Sequence, residues 1–192
     1  GLGSEGTRLE TALALRDFVH RRVPLQLAPP GFQFTPLFPA FRASVLDPGV
    51  GHICGGLALT YTVALEAFGI PARYVGLHAA AHTTADNHAS VEFHDGKRWI
   101  ASDPTFNVSF RRAGHRLGWE AVRQTLLDGG SIEVRSDGYE VAPSRRLNRY
   151  YVPLKRLVAH MVAYADGDGD GALAADERLT WPRSWDGSLA RA

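Results

Sequence analysis

The sequence predicts a single α+β unit of 192 residues, and three observations carry that prediction. A helix apolar on nearly every side follows a lone cysteine, and such a helix belongs at the centre of a core. Two short alternating runs joined through Asp95-Gly96 read as an antiparallel hairpin. An amphipathic helix precedes both.

The elements follow in order. Thr7 to Arg22 places Leu9, Ala12, Leu13, Phe18 and Val19 at helical spacing, with Pro24 marking the end, and reads as scaffold. Leu25 to Pro48 interleaves prolines with Phe32, Phe34, Phe38 and Phe41, which excludes a long helix or a central strand and leaves an aromatic loop packed on the core. A Gly-rich turn at Cys54-Gly55-Gly56 opens the buried helix, which Gly69 closes as a C-cap. Ala72 to Leu77 is a short strand candidate, and Ala79 to Asp86 a polar loop. His88 to Phe93 and Arg98 to Ser102 are the hairpin strands, so His88 at the start of one and Asp103 just past the end of the next face each other. Trp119 to Leu127 is a helix ended by Asp128-Gly129-Gly130, and Asp137-Gly138 is a turn within the mixed stretch Ser131 to Val141. Val152 to Ala165 has helical spacing, and Ala175 to Trp181 allows about two further turns.

Composition narrows the function. Hydrophobic residues at 45% and charged residues at 21% are ordinary globular values. Lys+Arg 21 against Asp+Glu 20 leaves a net charge of +1, which offers no electrostatic case for nucleic acid or an anionic membrane. The basic group Arg145, Arg146, Arg149, Lys155 and Arg156 reads as a solvated face. No apolar run reaches the roughly 18 residues of a membrane span, and a monomer is expected. One cysteine excludes an internal disulfide. The chain opens Gly1-Leu2-Gly3 with Met161 its only methionine, so a processed product is expected, with any signal peptide already removed.

Cys54, His88 and Asp103 are the candidate catalytic residues. A thiol at a helix N-terminus meets unpaired N–H groups and the positive end of the helix dipole, and both favour thiolate. His88 is placed to move the proton, and Asp103 to orient the imidazole and stabilise its charged form. The N–H of Cys54 is one oxyanion donor, while Gln33, His52 and the backbone remain candidates for the second. A lone cysteine taken alone reads as a small buried hydrophobe. His78 and His82 share an i, i+4 spacing, but loop-like text surrounds them and argues against a metal site.

Asp166 to Glu177 matches a twelve-position EF-hand calcium loop. Asp166, Asp168 and Asp170 take positions one, three and five, Gly171 makes the turn at six, Ala172 offers its carbonyl, and Glu177 supplies the bidentate carboxylate. Leu173 is the apolar residue at position eight, and at Ala174 a water would take the place of a side-chain ligand. Only one such loop is found, so a structural Ca2+ that fastens the C-terminal segment is expected rather than a sensor, and no organic cofactor. A weak single site suits the calcium level outside cells, which makes a periplasmic or extracellular protein the expectation.

The segments Cys54-Gly55-Gly56-Leu57-Ala58, Gly69 to Gly76, Asn87 to Phe93 and Trp99 to Thr105 resemble the successive core motifs of the transglutaminase-like superfamily, over roughly Thr7 to Phe110. Where that family often carries a Trp two residues after its histidine, this chain has Ser90. The resemblance implies a papain-like core: a central helix headed by nucleophile Cys54 on an antiparallel sheet supplying base His88 and orienting Asp103. It also implies acyl transfer at amide carbonyls of a peptide or protein substrate. The expected organisation is a catalytic unit over 1–150, with a helix and calcium segment over 151–192 packed on it. Hydrolysis by a protease or amidase is the leading expectation, because water is always at hand. Crosslinking as a protein-glutamine transglutaminase is the alternative, and a non-catalytic calcium-stabilised interaction domain is the rival from another class.

Overall fold

A computed structural model of the chain describes residues 5–23, 25, 53–78, 87–140, 160–164 and 178–181. Among these residues three helices, α1 (Glu5–Arg22), α2 (Cys54–Ala67) and α3 (Trp119–Leu127), accompany eight strands. The strands are β1 (Ala72–His78), β2 (Asn87–His94), β3 (Trp99–Asp103), β4 (Val108–Arg112), β5 (His115–Arg116), β6 (Glu133–Arg135), β7 (His160–Tyr164) and β8 (Arg178–Trp181). They form one sheet in the order β5-β4-β3-β2-β1-β7-β8, with β6 also on β4, and every pairing is antiparallel.

The period-2 alternation of the strands divides the core between two faces. On one face Ala72, Tyr74, Val91, Phe93 and Ile100 pack with Ala12 and Val19 of α1 and with Leu57, Leu59, Tyr61 and Leu65 of α2. On the other, Val75, Leu77, Ala101, Phe110 and Met161 pack with Trp119 and Val122 of α3. The helix expected to be buried on all sides therefore lies against the sheet beneath α1, and its closing Gly69 adopts φ 70 as a C-cap should.

Glu92 fastens α3. One carboxylate oxygen accepts the Trp119 N–H at 2.7 Å, and the other accepts from Arg73 at 2.7 and 3.1 Å. The approach is so close that a Cβ at Gly118 would stand 2.6 Å from that carboxylate and 3.0 Å from the Trp99 carbonyl, so a side chain there would displace Glu92. Burial pushes the Glu92 carboxyl up, and Arg73 and the Trp119 N–H only partly offset it.

The β2–β3 hairpin turns through Asp95-Gly96 as expected, with His94 paired to Trp99, and Asp95 Oδ1 accepts the N–H groups of Lys97 and Arg98 and holds the four-residue loop closed. Two expectations change. The helix expected over Val152 to Ala165 is strand β7 in its described part, because His160–Tyr164 pairs with β1 along one edge and β8 along the other. The exit helix expected over Ala175 to Trp181 is likewise strand β8 over Arg178–Trp181. Met161, Val162 and Leu179 thus join the sheet, where hydrogen bonds along the strand edges outweigh the helical spacing of the sequence. The calcium loop itself, Asp166 to Glu177, lies outside the described residues, and the flanks described for it are strands, not the helices of an EF-hand.

Candidate active site

α2 begins at Cys54 itself. Its N-cap, Ile53, is extended at φ −69, ψ 173 and provides no side-chain cap, so the first turn keeps backbone N–H groups directed at the thiol end of the helix. Cys54 is half-buried, and the residues that follow it, Gly55 to Thr62, are buried.

His88 enters from β2, paired with Leu77 of β1. It is 4% exposed, and its Nε2 lies 2.8 Å from Oδ2 of the fully buried Asp103. That contact occupies Nε2 and leaves Nδ1 toward the thiol, with which His88 is hydrogen-bonded. The Phe106 ring, tilted at 38° with its centroid 5.7 Å from the imidazole, covers the histidine. Asp103 is fixed by its own chain: Oδ1 accepts the N–H groups of Thr105 at 2.9 Å and Phe106 at 3.2 Å, which turns Oδ2 to the imidazole.

The electrostatics follow from these contacts. Burial pushes the Cys54 thiol up, but the hydrogen bond and charge of His88 and the Ala89 N–H outweigh it, so the thiol lies below its usual value. Burial pulls the imidazole down, yet the Asp103 carboxylate and the thiol raise His88 to about 10. Both shifts favour a thiolate–imidazolium pair over the neutral thiol and imidazole. Such a pair can attack a carbonyl carbon through sulfur and deliver a proton to the departing group.

The structure therefore brings Cys54, His88 and Asp103 together. Ser90, two residues beyond His88, is fully buried and donates from Oγ to the Ser102 carbonyl at 3.1 Å, tying β2 to β3. Gln33 and His52, candidates for the oxyanion donor, lie outside the described residues, as does His82. His78 ends strand β1, so the helical spacing on which an i, i+4 metal pair depends is absent. Among the described residues no group of three or more His, Cys, Asp or Glu is placed to hold a metal ion. No described helix is long and apolar enough to cross a membrane.

Sequence reasoning passed over residues that surround the Asp103 turn. His20 of α1 donates from Nδ1 to the Pro104 carbonyl at 3.0 Å. Arg16 donates to Asn107 Oδ1 at 2.9 Å, and Asn107 donates to Asp17 Oδ1 at 2.9 Å. The available signal was on α1: Arg16, Asp17 and His20 fall beside the apolar positions Val19 and Ala12, where a solvated helix would not place them.

The family model for the transglutaminase-like superfamily matches residues 2–104. No curated protein matches the chain significantly. Among solved structures, that of a "Putative Cysteine Protease" from Cytophaga hutchinsonii is similar at 21% identity and a TM-score of 0.35, covering 53% of this chain and 36% of that one. The matched part thus spans about a third of that protein. At this similarity the family assignment rests on the family model.

Proposed function

The chain belongs to the transglutaminase-like superfamily, and from that premise we propose that it is a cysteine-dependent enzyme acting on a peptide or protein amide through a Cys54 thioester. The observation that carries this reading is the continuous chain of contacts from the Cys54 sulfur through His88 to Asp103, whose last link is 2.8 Å. The thiolate adds to the amide carbonyl, His88 passes its proton to the leaving amine, and the C–N bond breaks to leave a thioester. An incoming water or amine then loses its proton to His88 as it displaces the sulfur, which restores the starting state. Asp103 holds the ring in place and stabilises the charged form in both halves.

Hydrolysis is the favoured outcome, since an amine acceptor requires a second binding surface and water does not. A mixed peptide library, incubated with and without a primary amine and read by mass, is expected to show cleavage or deamidation (+1 Da) in both arms. Products that carry the added amine, with loss of the ammonia it displaces, would instead assign crosslinking. Cys54→Ala is expected to remove turnover by a factor of roughly a thousand or more. Full activity in that variant would sink the reading.

We also propose that Asp166, Asp168, Asp170, Ala172 and Glu177 hold a structural Ca2+. The support is the alternation of oxygen donors in the sequence and the pairing of Tyr164 with Arg178, which closes the connection at its base. All of these ligands come from the loop itself, so strands can stand where an EF-hand has helices. The proposal includes export to a calcium-rich compartment. Millimolar Ca2+ is expected to raise the melting temperature of chelator-treated protein, and Asp166→Ala with Glu177→Gln to abolish the rise. Identical melting with and without calcium would end this part of the proposal.

A further inference from the structure

The Pro104–Thr105 peptide joins α1 to the orienting carboxylate. A peptide unit is planar, so its carbonyl and its N–H turn together. Here the carbonyl of Pro104 accepts from His20 Nδ1 at 3.0 Å, and the N–H of Thr105 donates to Asp103 Oδ1 at 2.9 Å. One rigid plane is therefore gripped from both edges, by a helix on one side and by the Asp103 carboxylate on the other. A carbonyl only accepts, so His20 carries its proton on Nδ1.

We propose that His20 is a positioning residue for the reaction, acting on Asp103 through this peptide plane. The inference rests on the reading of Cys54, His88 and Asp103 as a working triad. His20 is 2% exposed and lies one helical turn from Arg16 and next but two from Asp17. Those two neighbours secure the other end of the turn at Asn107, which sits at φ 57 with its side chain fully buried. Asn is among the side-chain-bearing residues that adopt this left-handed conformation most readily, and here both of its amide ends are also held by α1. α1 thus clamps the segment Asp103 to Asn107 at its middle and at its end. Without His20 the plane keeps only its grip on the Asp103 side, the Thr105 N–H holds Oδ1 less firmly beside the Phe106 N–H, and Oδ2 aims less strictly at His88 Nε2.

The test is the pH dependence of Cys54 alkylation by iodoacetamide, which reads the thiolate directly and needs no substrate. His20→Phe keeps a ring of similar bulk and removes the donor, whereas His20→Gln retains one. Asp103→Asn serves as the benchmark for losing the carboxylate, and Val19→Ala as a destabilising change on α1 that leaves the turn untouched. The expected result is that His20→Phe moves the thiolate limb toward higher pH, in the direction of Asp103→Asn but by less, with His20→Gln restoring part of the shift. Turnover in His20→Phe is expected to fall about ten- to a hundredfold with KM unchanged. Val19→Ala should lower the melting temperature and leave the limb where it was. A His20→Phe profile that overlays the wild type while Asp103→Asn shifts overturns the inference alone. Profiles that shift in neither variant overturn the triad reading beneath it. If His20→Phe does not fold, His20→Leu, smaller and also without a donor, carries the same test.

Discussion

Two buried polar clusters lie on either side of the Asp103–Asn107 turn, and they are built on opposite principles. Cys54, His88 and Asp103 form a chain in which His88 links the half-buried thiol to the buried carboxylate. Asp137 sits instead at a hub: its carboxylate accepts from Arg16 at 3.1 Å, Arg111 at 2.8 Å, Arg116 at 2.7 Å and the Ser109 hydroxyl at 2.7 Å. Guanidinium groups do not lose their protons in any useful pH range, so the arginines of the hub are fixed in charge. The thiol and imidazole can exchange a proton, and their shifts oppose each other to keep the exchange within reach. Redundancy makes a scaffold, and a single file of titratable groups makes a site.

Asp103→Asn should break the chain most sharply. It keeps the shape but reverses what Oδ2 offers to His88, and turnover is expected to fall on the order of a hundredfold to ten-thousandfold with little change in melting temperature. Asp137→Ala should do the reverse. It strands three guanidiniums in a buried site and is expected to cost about 3 to 5 kcal/mol of stability by chemical denaturation, while the protein that remains folded alkylates Cys54 at the wild-type rate. Equal effects of the two variants on turnover would erase the contrast.

The pH behaviour sharpens it further. Turnover should rise as Cys54 ionises below the ordinary thiol range, then fall as His88 loses its proton at about 10. The folded imidazole binds its proton more tightly than the unfolded one. Its contribution to stability is therefore complete below pH 6.5 and is lost as the pH climbs through about 10. Burial pushes the Asp137 carboxyl up, but the Ser109 hydroxyl and the arginines outweigh it and hold it below its usual value. Its contribution is present above the ordinary carboxylate range and fades in acid. Stability loss at the alkaline end should thus shrink in His88→Ala and persist in Asp137→Ala, as melting curves across pH would show. The smallest effect is expected at Arg111→Gln: its side chain is 29% exposed and two guanidiniums remain on Asp137, so the cost is at most about 1 kcal/mol.

Local chemistry was legible wherever it repeated at short range. The buried helix after Cys54, the β2–β3 hairpin, α3 and the Asp137-Gly138 turn could all be read from apolar spacing and turn residues, because neighbours in sequence determine those patterns. The placing of His88 opposite Asp103 followed from the hairpin alone. β7 and β8 could not be read so: His160–Tyr164 is strand because β1 and β8 offer it hydrogen bonds on both edges, and β1 is far away in sequence. Strands β4, β5 and β6 are likewise short pieces that exist through pairing.

The sequence by itself determined the residue types of the site and their order, since a thiol, an imidazole and a carboxylate have few other uses in motifs of this kind. Only the tertiary structure decided what steadies them. His20 acts across 84 positions and Arg16 across 91, and contacts at that range leave no periodic trace in the chain. A helix that reads as scaffold from its apolar positions turns out to hold, by its few polar ones, the turn that aims Asp103.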